Sequence, residues 1–288
     1  MIMQKIDLNY VSERLPVRDE NALKGSFGKL LVVGGSVGYT GSVYLTATAA
    51  FHSGCGLVYV GVPQTIWQVE AVKLTEAMPF PLRDSNGQLT TGATAEIISR
   101  LEKCDALAIG PGLGRSQETC NMVLQILSQT EKPVVVDADA LYALSGHLDV
   151  LDARKGRVTV LTPHPGEYAR LTDNADTPYD EFAKEHSCYL VAKQHRTVIA
   201  GPDGRTMVNT SGNSGLAKGG SGDVLTGIIS SLLCQGSEPF DACAVGVYLH
   251  GRAGDLVRGT ETAYCMSPEQ VIFKGFRDAF IECLANEL

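Results

Sequence analysis

The 288-residue sequence predicts an α/β fold of three layers, with a mostly parallel central sheet between two layers of helices. Three observations carry this expectation. Short runs rich in Val, Ile and Leu alternate along the chain with longer segments of helical period. The runs lack the polar alternation of a half-exposed strand, so both faces of each strand should be buried. Apolar residues make up 44% and charged residues 19%, and 31 glycines are spread along the chain, a composition suited to a large core with many tight connections.

The elements follow in order. KLLVVGG at Lys29, LVYVGV at Leu57, ALAIG at Ala106, PVVVDAD at Pro133, VTVL at Val158 and YLVA at Tyr189 read as strands. Between them, 42–53 reads as a helix closed by Gly54, and 116–129 as a helix capped by Ser116. Repeated strand-helix-strand units imply parallel pairing with helices on both faces. The pattern then changes, because TVIA at Thr197 and TMVN at Thr206 flank the turn sequence Gly201-Pro202-Asp203-Gly204, which predicts an antiparallel hairpin at one sheet edge. Helices are expected over 223–234, over 240–255 and after Ser267-Pro268-Glu269. Length alone leaves one or two domains open, but no Pro- or Ser-rich linker, repeat or low-complexity stretch divides the chain. The expectation is a single domain over 1–288.

Charge narrows the partners. There are 24 Lys plus Arg against 32 Asp plus Glu, a formal net charge of -8, and no basic run that could neutralise a series of phosphates. Nucleic acid is therefore not an expected partner. The opening residues MIMQKIDLNY carry charge where a signal peptide needs an apolar stretch, and no apolar run approaches the roughly 18 residues of a membrane-spanning helix. A cytoplasmic chain without membrane contact is expected. The eight cysteines form no CxxC pair and have no His at metal-ligand spacing, so they read as reduced and mostly buried.

The chemistry concentrates in NSGLAKGGSGDVLTG, which begins at Asn213. Gly219, Gly220, Ser221 and Gly222 allow a tight turn that aims several N–H groups into one small volume. The apolar run after Asp223 starts a helix whose positive end faces the same volume, a place for a phosphoryl group. Asp223 stands at its mouth, where a carboxylate can take the proton of an attacking hydroxyl. The plainer reading makes Asp223 an N-cap and the glycines a turn. Two known phosphate-binding patterns are absent: there is no GxxxxGKS/T, and GPGLGR at Gly110 has Arg115 where GxGxxG needs its third glycine.

This segment resembles the signature of the ADP/ATP-dependent NAD(P)HX dehydratases, a family within the ribokinase-like superfamily. The resemblance extends over nearly the whole chain, through KLLVVGGSVGYTGS from Lys29, GCGLVYV from Gly54, AIGPGLGR from Ala108, VVVDADAL from Val134 and TPHPGEYARL from Thr162. It implies a ribokinase-like fold and a repair reaction on NADH or NADPH whose nicotinamide ring has added water (NADHX, NADPHX). A phosphoryl group is transferred from ADP or ATP to the 6-hydroxyl, and phosphate then leaves to restore the ring double bond. Hydroxide leaves poorly and phosphate well, so nucleotide cleavage drives the dehydration.

Carried over residue by residue, the resemblance makes Asp223 the base and the backbone of Gly220, Ser221 and Gly222 the anion hole. Ser42, Gly112, Gly114 and His164 would bind substrate together with Asp223. Gly112 and Gly114 have the alternative of shaping a turn, and His164 that of a structural histidine. His164-Pro165-Gly166-Glu167 matches the NxxE stretch of related kinases, which makes Glu167 a water-mediated Mg²⁺ residue, or else only a helix-start carboxylate. Nucleotide contacts fall on Lys193, Gln194, His195, Arg196 and Thr197, and on Gly222. The family usually has Lys-Gly where this chain has Lys193-Gln194, which puts the contacts of 193–197 in question. Asp137 and Asp139 end a strand at the edge where open α/β sheets bind ligands. The resemblance further implies ADP as a donor at least as good as ATP, a homo-oligomer, and a separate NAD(P)HX epimerase as working partner. Two other readings keep the fold: a kinase for a vitamin precursor such as a thiazole alcohol or pyridoxal, and a nucleotide sensor without turnover. TPHPGE, GYTGS and GPGLG favour the dehydratases over the former, and the intact glycine loop with Asp223 opposes the latter.

Overall fold

The computed structural model describes residues 3–285. In chain order the strands are β1 Gln4–Lys5, β2 Lys29–Val33, β3 Leu57–Pro63, β4 Met78–Leu82, β5 Asp84–Ser85, β6 Gln88–Leu89, β7 Ala106–Ile109, β8 Val134–Val136, β9 Thr159–Leu161, β10 Tyr189–Ala192, β11 Val198–Ala200 and β12 Thr206–Val208. The helices are α1 Leu8–Ser12, α2 Thr40–His52, α3 Trp67–Lys73, α4 Thr94–Leu101, α5 Gln117–Gln129, α6 Asp139–Leu144, α7 Asp149–Ala153, α8 Pro165–Thr172, α9 Tyr179–Glu185, α10 Ser221–Cys234, α11 Pro239–Thr260, α12 Pro268–Gln270 and α13 Phe276–Cys283. A π-helical turn, Val271–Gly275, joins the last two.

Ten strands form one sheet in the order β1-β12-β11-β10-β9-β8-β7-β2-β3-β4, and β5-β6 form a small hairpin. Every pair in the large sheet is parallel except the two that β11 makes. Successive strand residues face opposite sides. Leu31, Val33, Leu107 and Ile109 pack with α4, α5 and α6, whereas Leu30, Val32, Ala106 and Ala108 pack under α2. Further along, Val135, Val160, Val191 and Ile199 pack against α10 and α11. This explains why the strands read as unbroken apolar runs.

Several expectations hold with shifted ends. The helix expected over 42–53 starts at Thr40, and that of 116–129 is capped by Ser116, whose Oγ accepts from the Thr119 N–H at 3.2 Å. The helix expected over 240–255 runs on to Thr260. The hairpin forms, but it does not end the sheet: β1 pairs in parallel with β12 and covers that edge. Two residues of strand, Gln4 and Lys5, are too short to show in a periodicity. At the far edge β4 contains Pro79 and Pro81, which lack the N–H of a ladder donor and suit an edge strand. Among the described residues all eight cysteines are free; six are buried, Cys120 is half-buried and Cys265 exposed. No helix among these residues is long and apolar enough to cross a membrane.

The chain leaves β2 toward β3 and β4 on one side, and leaves β7 toward β8, β9 and β10 on the other. The direction reverses between β2 and β7, and beyond the carboxyl ends of these two strands lies the switch-point crevice where open α/β sheets bind ligands. α10 lies across this region, against α2. A Cβ on Gly227 would fall 2.3 Å from the Thr46 carbonyl oxygen, so the two helix backbones nearly touch.

Candidate active site

The crevice is built from strand ends. After β2, the Gly35 N–H donates to the Pro111 carbonyl at 2.8 Å, and the Ser36 hydroxyl to the Gly112 carbonyl at 2.7 Å. The loops after β2 and β7 are thus tied together. Gly112 has φ +65°, and a Cβ there would lie 2.9 Å from the Tyr39 carbonyl oxygen and 3.1 Å from the Ser42 Cβ. Both the turn and the close approach to the start of α2 require glycine here. Gly114 sits further out, where its N–H donates to Asp139 Oδ2 at 2.9 Å; Arg115 Nε binds the other oxygen at 2.6 Å. Asp139 therefore holds the loop after β7.

Asp137, at the end of β8, is almost fully buried and has both oxygens engaged. Lys193 Nζ lies 2.7 Å from Oδ1, and the Thr226 hydroxyl donates to Oδ2 at 2.7 Å. Thr226 lies three residues beyond Asp223 on α10, hence on the same face of that helix. Between the two aspartates, Ala138 takes φ +48°, ψ -117°, a strained conformation for a residue with a Cβ. It turns the chain so that Asp137 faces the crevice and Asp139 the neighbouring loop.

Gly220, at φ +92°, is the N-cap of α10, and Asp223 is the third residue of the helix. The reading of Asp223 as the N-cap is thereby corrected. The Ser221 N–H is engaged with the Lys218 carbonyl at 3.2 Å. The following N–H groups, of Gly222 and Asp223, belong to the first turn and have no intrahelical acceptor. The Asp223 carboxyl is pushed up to about 6, first by burial and then by the charge of Asp137, while the facing Ser42 hydroxyl and the Lys193 ammonium pull the other way. Burial pulls the Lys193 ammonium down, but Asp137, Glu167 and Asp223 together outweigh it and leave its pKa above the ordinary lysine value. A Cβ on Gly222 would fall 3.3 Å from Lys193 Nζ, so the ammonium lies against the start of α10.

His164 and Glu167 form a reciprocal cap at the start of α8. His164 Nδ1 accepts from the Gly166 and Glu167 N–H groups at 3.0 and 3.3 Å, and Glu167 Oε2 accepts from the His164 N–H at 2.9 Å. The His164 side chain stays 56% exposed while Glu167 is buried, with Lys193 Nζ 3.9 Å from Oε2. Lys193 parts company with the rest of 193–197: its ammonium enters the carboxylate cluster, whereas Gln194, His195 and Arg196 are exposed and Thr197 is half-buried. Among the described residues no three His, Cys, Asp or Glu side chains are grouped to hold a metal ion.

The structure thus brings together Ser42, Gly112, Lys193, Gly222 and Asp223, joins Glu167 to them through Lys193, and leaves Gly114 and Gln194 to Arg196 further out. It adds residues that the sequence reading did not single out for the site. Thr226 lies within the glycine motif, where its spacing from Asp223 was a usable signal. His250, on α11, places Nε2 3.2 Å from Ser221 Oγ, and nothing local in the sequence points to it.

Comparisons with known proteins identify the family. The family model described as NAD(P)H-hydrate dehydratase matches residues 30–274. The chain is 45% identical over 251 residues to a bifunctional NAD(P)H-hydrate repair enzyme of Moorella thermoacetica, covering 84% of this chain and 47% of that protein. It therefore spans about half the length of that relative. It is 39% identical over 251 residues to an ADP-dependent (S)-NAD(P)H-hydrate dehydratase of Neisseria meningitidis, covering 84% of this chain and 81% of the relative. Among solved structures, the ADP/ATP-dependent NAD(P)H-hydrate dehydratase of Bacillus subtilis, co-crystallised with ATP and Mg²⁺, superposes with a TM-score of 0.79 at 29% identity over 98% of this chain and 99% of that one. A carboxylate held near neutrality at the start of a glycine-capped helix, in a crevice at the sheet's switch point, and a family match across most of the chain lead to one conclusion: this chain belongs to the NAD(P)H-hydrate dehydratase family.

Proposed function

We propose that this chain dehydrates NADHX and NADPHX to NADH and NADPH at the expense of ADP or ATP. The placement of Asp223 carries the reading. A carboxyl raised to about 6 is poised to accept a proton near neutral pH, and it stands beside the N–H groups that receive an anion at the start of α10. In the proposed sequence, Asp223 takes the proton of the 6-hydroxyl as its oxygen attacks the terminal phosphorus of the nucleotide. The phosphorus–oxygen bond to the nucleotide breaks, releasing AMP from ADP or ADP from ATP. The ring C–O bond then breaks, phosphate departs, and a proton lost from the adjacent ring carbon restores the double bond.

Ser42 and Gly112 form the wall against which the hydroxyl is oriented, with His164 and Gly114 further along the substrate side. The Gly220 and Gly222 N–H groups and the Lys193 ammonium stabilise charge on the transferred phosphoryl group, whereas the Ser221 N–H is bonded to the Lys218 carbonyl. Gly222 and the segment Lys193-Gln194-His195-Arg196-Thr197 take the nucleotide. Among this chain's residues Glu167 would hold Mg²⁺ through water, such sites commonly needing only one or two carboxylates. When bound, it neutralises phosphate charge. The chain acts as one functional unit over 1–288 in the cytoplasm, as a homo-oligomer, and takes substrate epimers interconverted by a separate epimerase.

Incubation with NADHX and ADP, following the return of reduced-nicotinamide absorbance and the release of AMP and phosphate in equal amounts, tests the reading. Turnover of a thiazole alcohol or pyridoxal at a matching rate, without dehydration, would replace it by the vitamin-kinase reading.

A further inference from the structure

His250 lies on α11, remote in sequence from every motif above, yet its imidazole reaches the start of α10. Nε2 is 3.2 Å from the Ser221 Oγ, and Ser221 is itself buried. Other hydroxyls of α10 are engaged within the fold: Thr226 donates to Asp137, and Ser230 to the Thr226 carbonyl at 2.7 Å. Ser221 is the first helical residue and has no carbonyl one turn back on its helix to which it could donate. His250 is the side-chain partner that the fold supplies.

We propose that His250 is a positioning residue for phosphoryl transfer: Nε2–H donates to the Ser221 oxygen and thereby leaves the Ser221 hydroxyl proton free to point at the phosphoryl group. This rests on the proposed function only in taking the start of α10 as the phosphoryl site. The geometry by itself allows the bond to run either way. If Ser221 donated to Nε2, its lone pairs would face the arriving anion; with Nε2 as donor, the hydroxyl becomes a further donor to that anion. Burial first, and then the Lys193 charge, hold the His250 pKa down at about 4, so the ring is neutral and carries a single N–H. A neutral donor orients Ser221 without adding a second cation beside Lys193 that would tighten the hold on departing phosphate.

The test is a double-mutant cycle on the full chain with Ser221→Ala, His250→Ala and both together, plus His250→Gln, whose amide N–H can replace Nε2–H. kcat and KM for NADHX and ADP, ADP affinity by calorimetry, and melting temperature are measured for each. Ser221→Ala and His250→Ala should each lower kcat roughly 10- to 100-fold, the double variant no further than Ser221→Ala alone, and His250→Gln should restore most of the loss. Additive losses, or a Gln variant as poor as Ala, would overturn the proposal. So would a lowered melting temperature with kcat intact, which is the signature of packing alone. Should His250→Ala not fold, His250→Leu keeps the volume and takes its place in the cycle. If the wild-type chain does not dehydrate NADHX, the functional reading fails by itself; equal, non-additive weakening of ADP binding by the two single variants then still decides the His250–Ser221 coupling.

Discussion

Asp223 differs from a surface aspartate in being half-buried among carboxylates, and this has a kinetic consequence. With its carboxyl at about 6, the free enzyme loses the base as pH falls through that value, so kcat/KM should drop on the acid side there. Lys193 pulls the carboxyl down; Lys193→Met should therefore move this limb to higher pH, which a pH profile of the variant reads directly. Asp223→Asn retains size and removes the base. Its kcat should fall roughly 10² to 10⁴-fold with ADP affinity little changed and stability within about 1 kcal/mol of wild type. Near-normal turnover would remove Asp223 from the mechanism. A second carboxyl behaves differently. Glu70 on α3 is fully buried, its oxygens have no hydrogen-bond partner, Lys73 is 3.7 Å away, and burial pushes it up to about 7. A carboxyl raised in the folded state favours folding while protonated, so this contribution is present below pH 4.5 and is lost as pH rises toward 7. Glu70→Gln should match wild type in melting temperature at pH 4 and exceed it at pH 8.5, by about 1 to 3 kcal/mol in stability. Equal curves across that range would show that Glu70 is ionised without cost.

At the scale of elements, the site depends on how closely α2 and α10 approach, since one carries Ser42 and the other Asp223. Gly227 sets that distance: its hypothetical Cβ meets the Thr46 carbonyl oxygen and the Ala49 Cβ, and backbone cannot yield as a flexible side chain can. Gly227→Val should destabilise by roughly 2 kcal/mol or more and reduce kcat in the molecules that remain folded. A variant with unchanged melting temperature and turnover would contradict the role given to this contact. The sequence showed α10 clearly, because an apolar run after a glycine cluster is a local signal. It did not show β1, too short for any period, nor the pairing of α2 with α10, which joins residues about 180 positions apart.

At the scale of the whole molecule, the proposed reaction requires two ligands to meet in one crevice, and Gln194 falls on the proposed nucleotide side. ADP is expected to serve at least as well as ATP, and both NADHX and NADPHX to be turned over, because the proposed recognition centres on the hydrated ring and adjoining ribose. A preference for ATP above about tenfold in kcat/KM would reject this and direct attention to Gln194, which is exposed where the family usually has glycine.

The layered α/β architecture, the glycine loop at the start of α10, Asp223 as the candidate base and the family resemblance were all legible in the sequence. Each rests on contiguous residues whose period, turn chemistry or helix start is a local property. The tertiary structure alone decided which side chains surround Asp223. Ser42, Asp137 and Lys193 come from three separate parts of the chain, His250 reaches the neighbouring Ser221 from a fourth, and Glu167 is drawn toward Lys193 while held by its own helix cap. Burial and charge at one point depend on everything packed around it, so no window of sequence contains the raised carboxyl of Asp223 or the neutral imidazole beside Ser221.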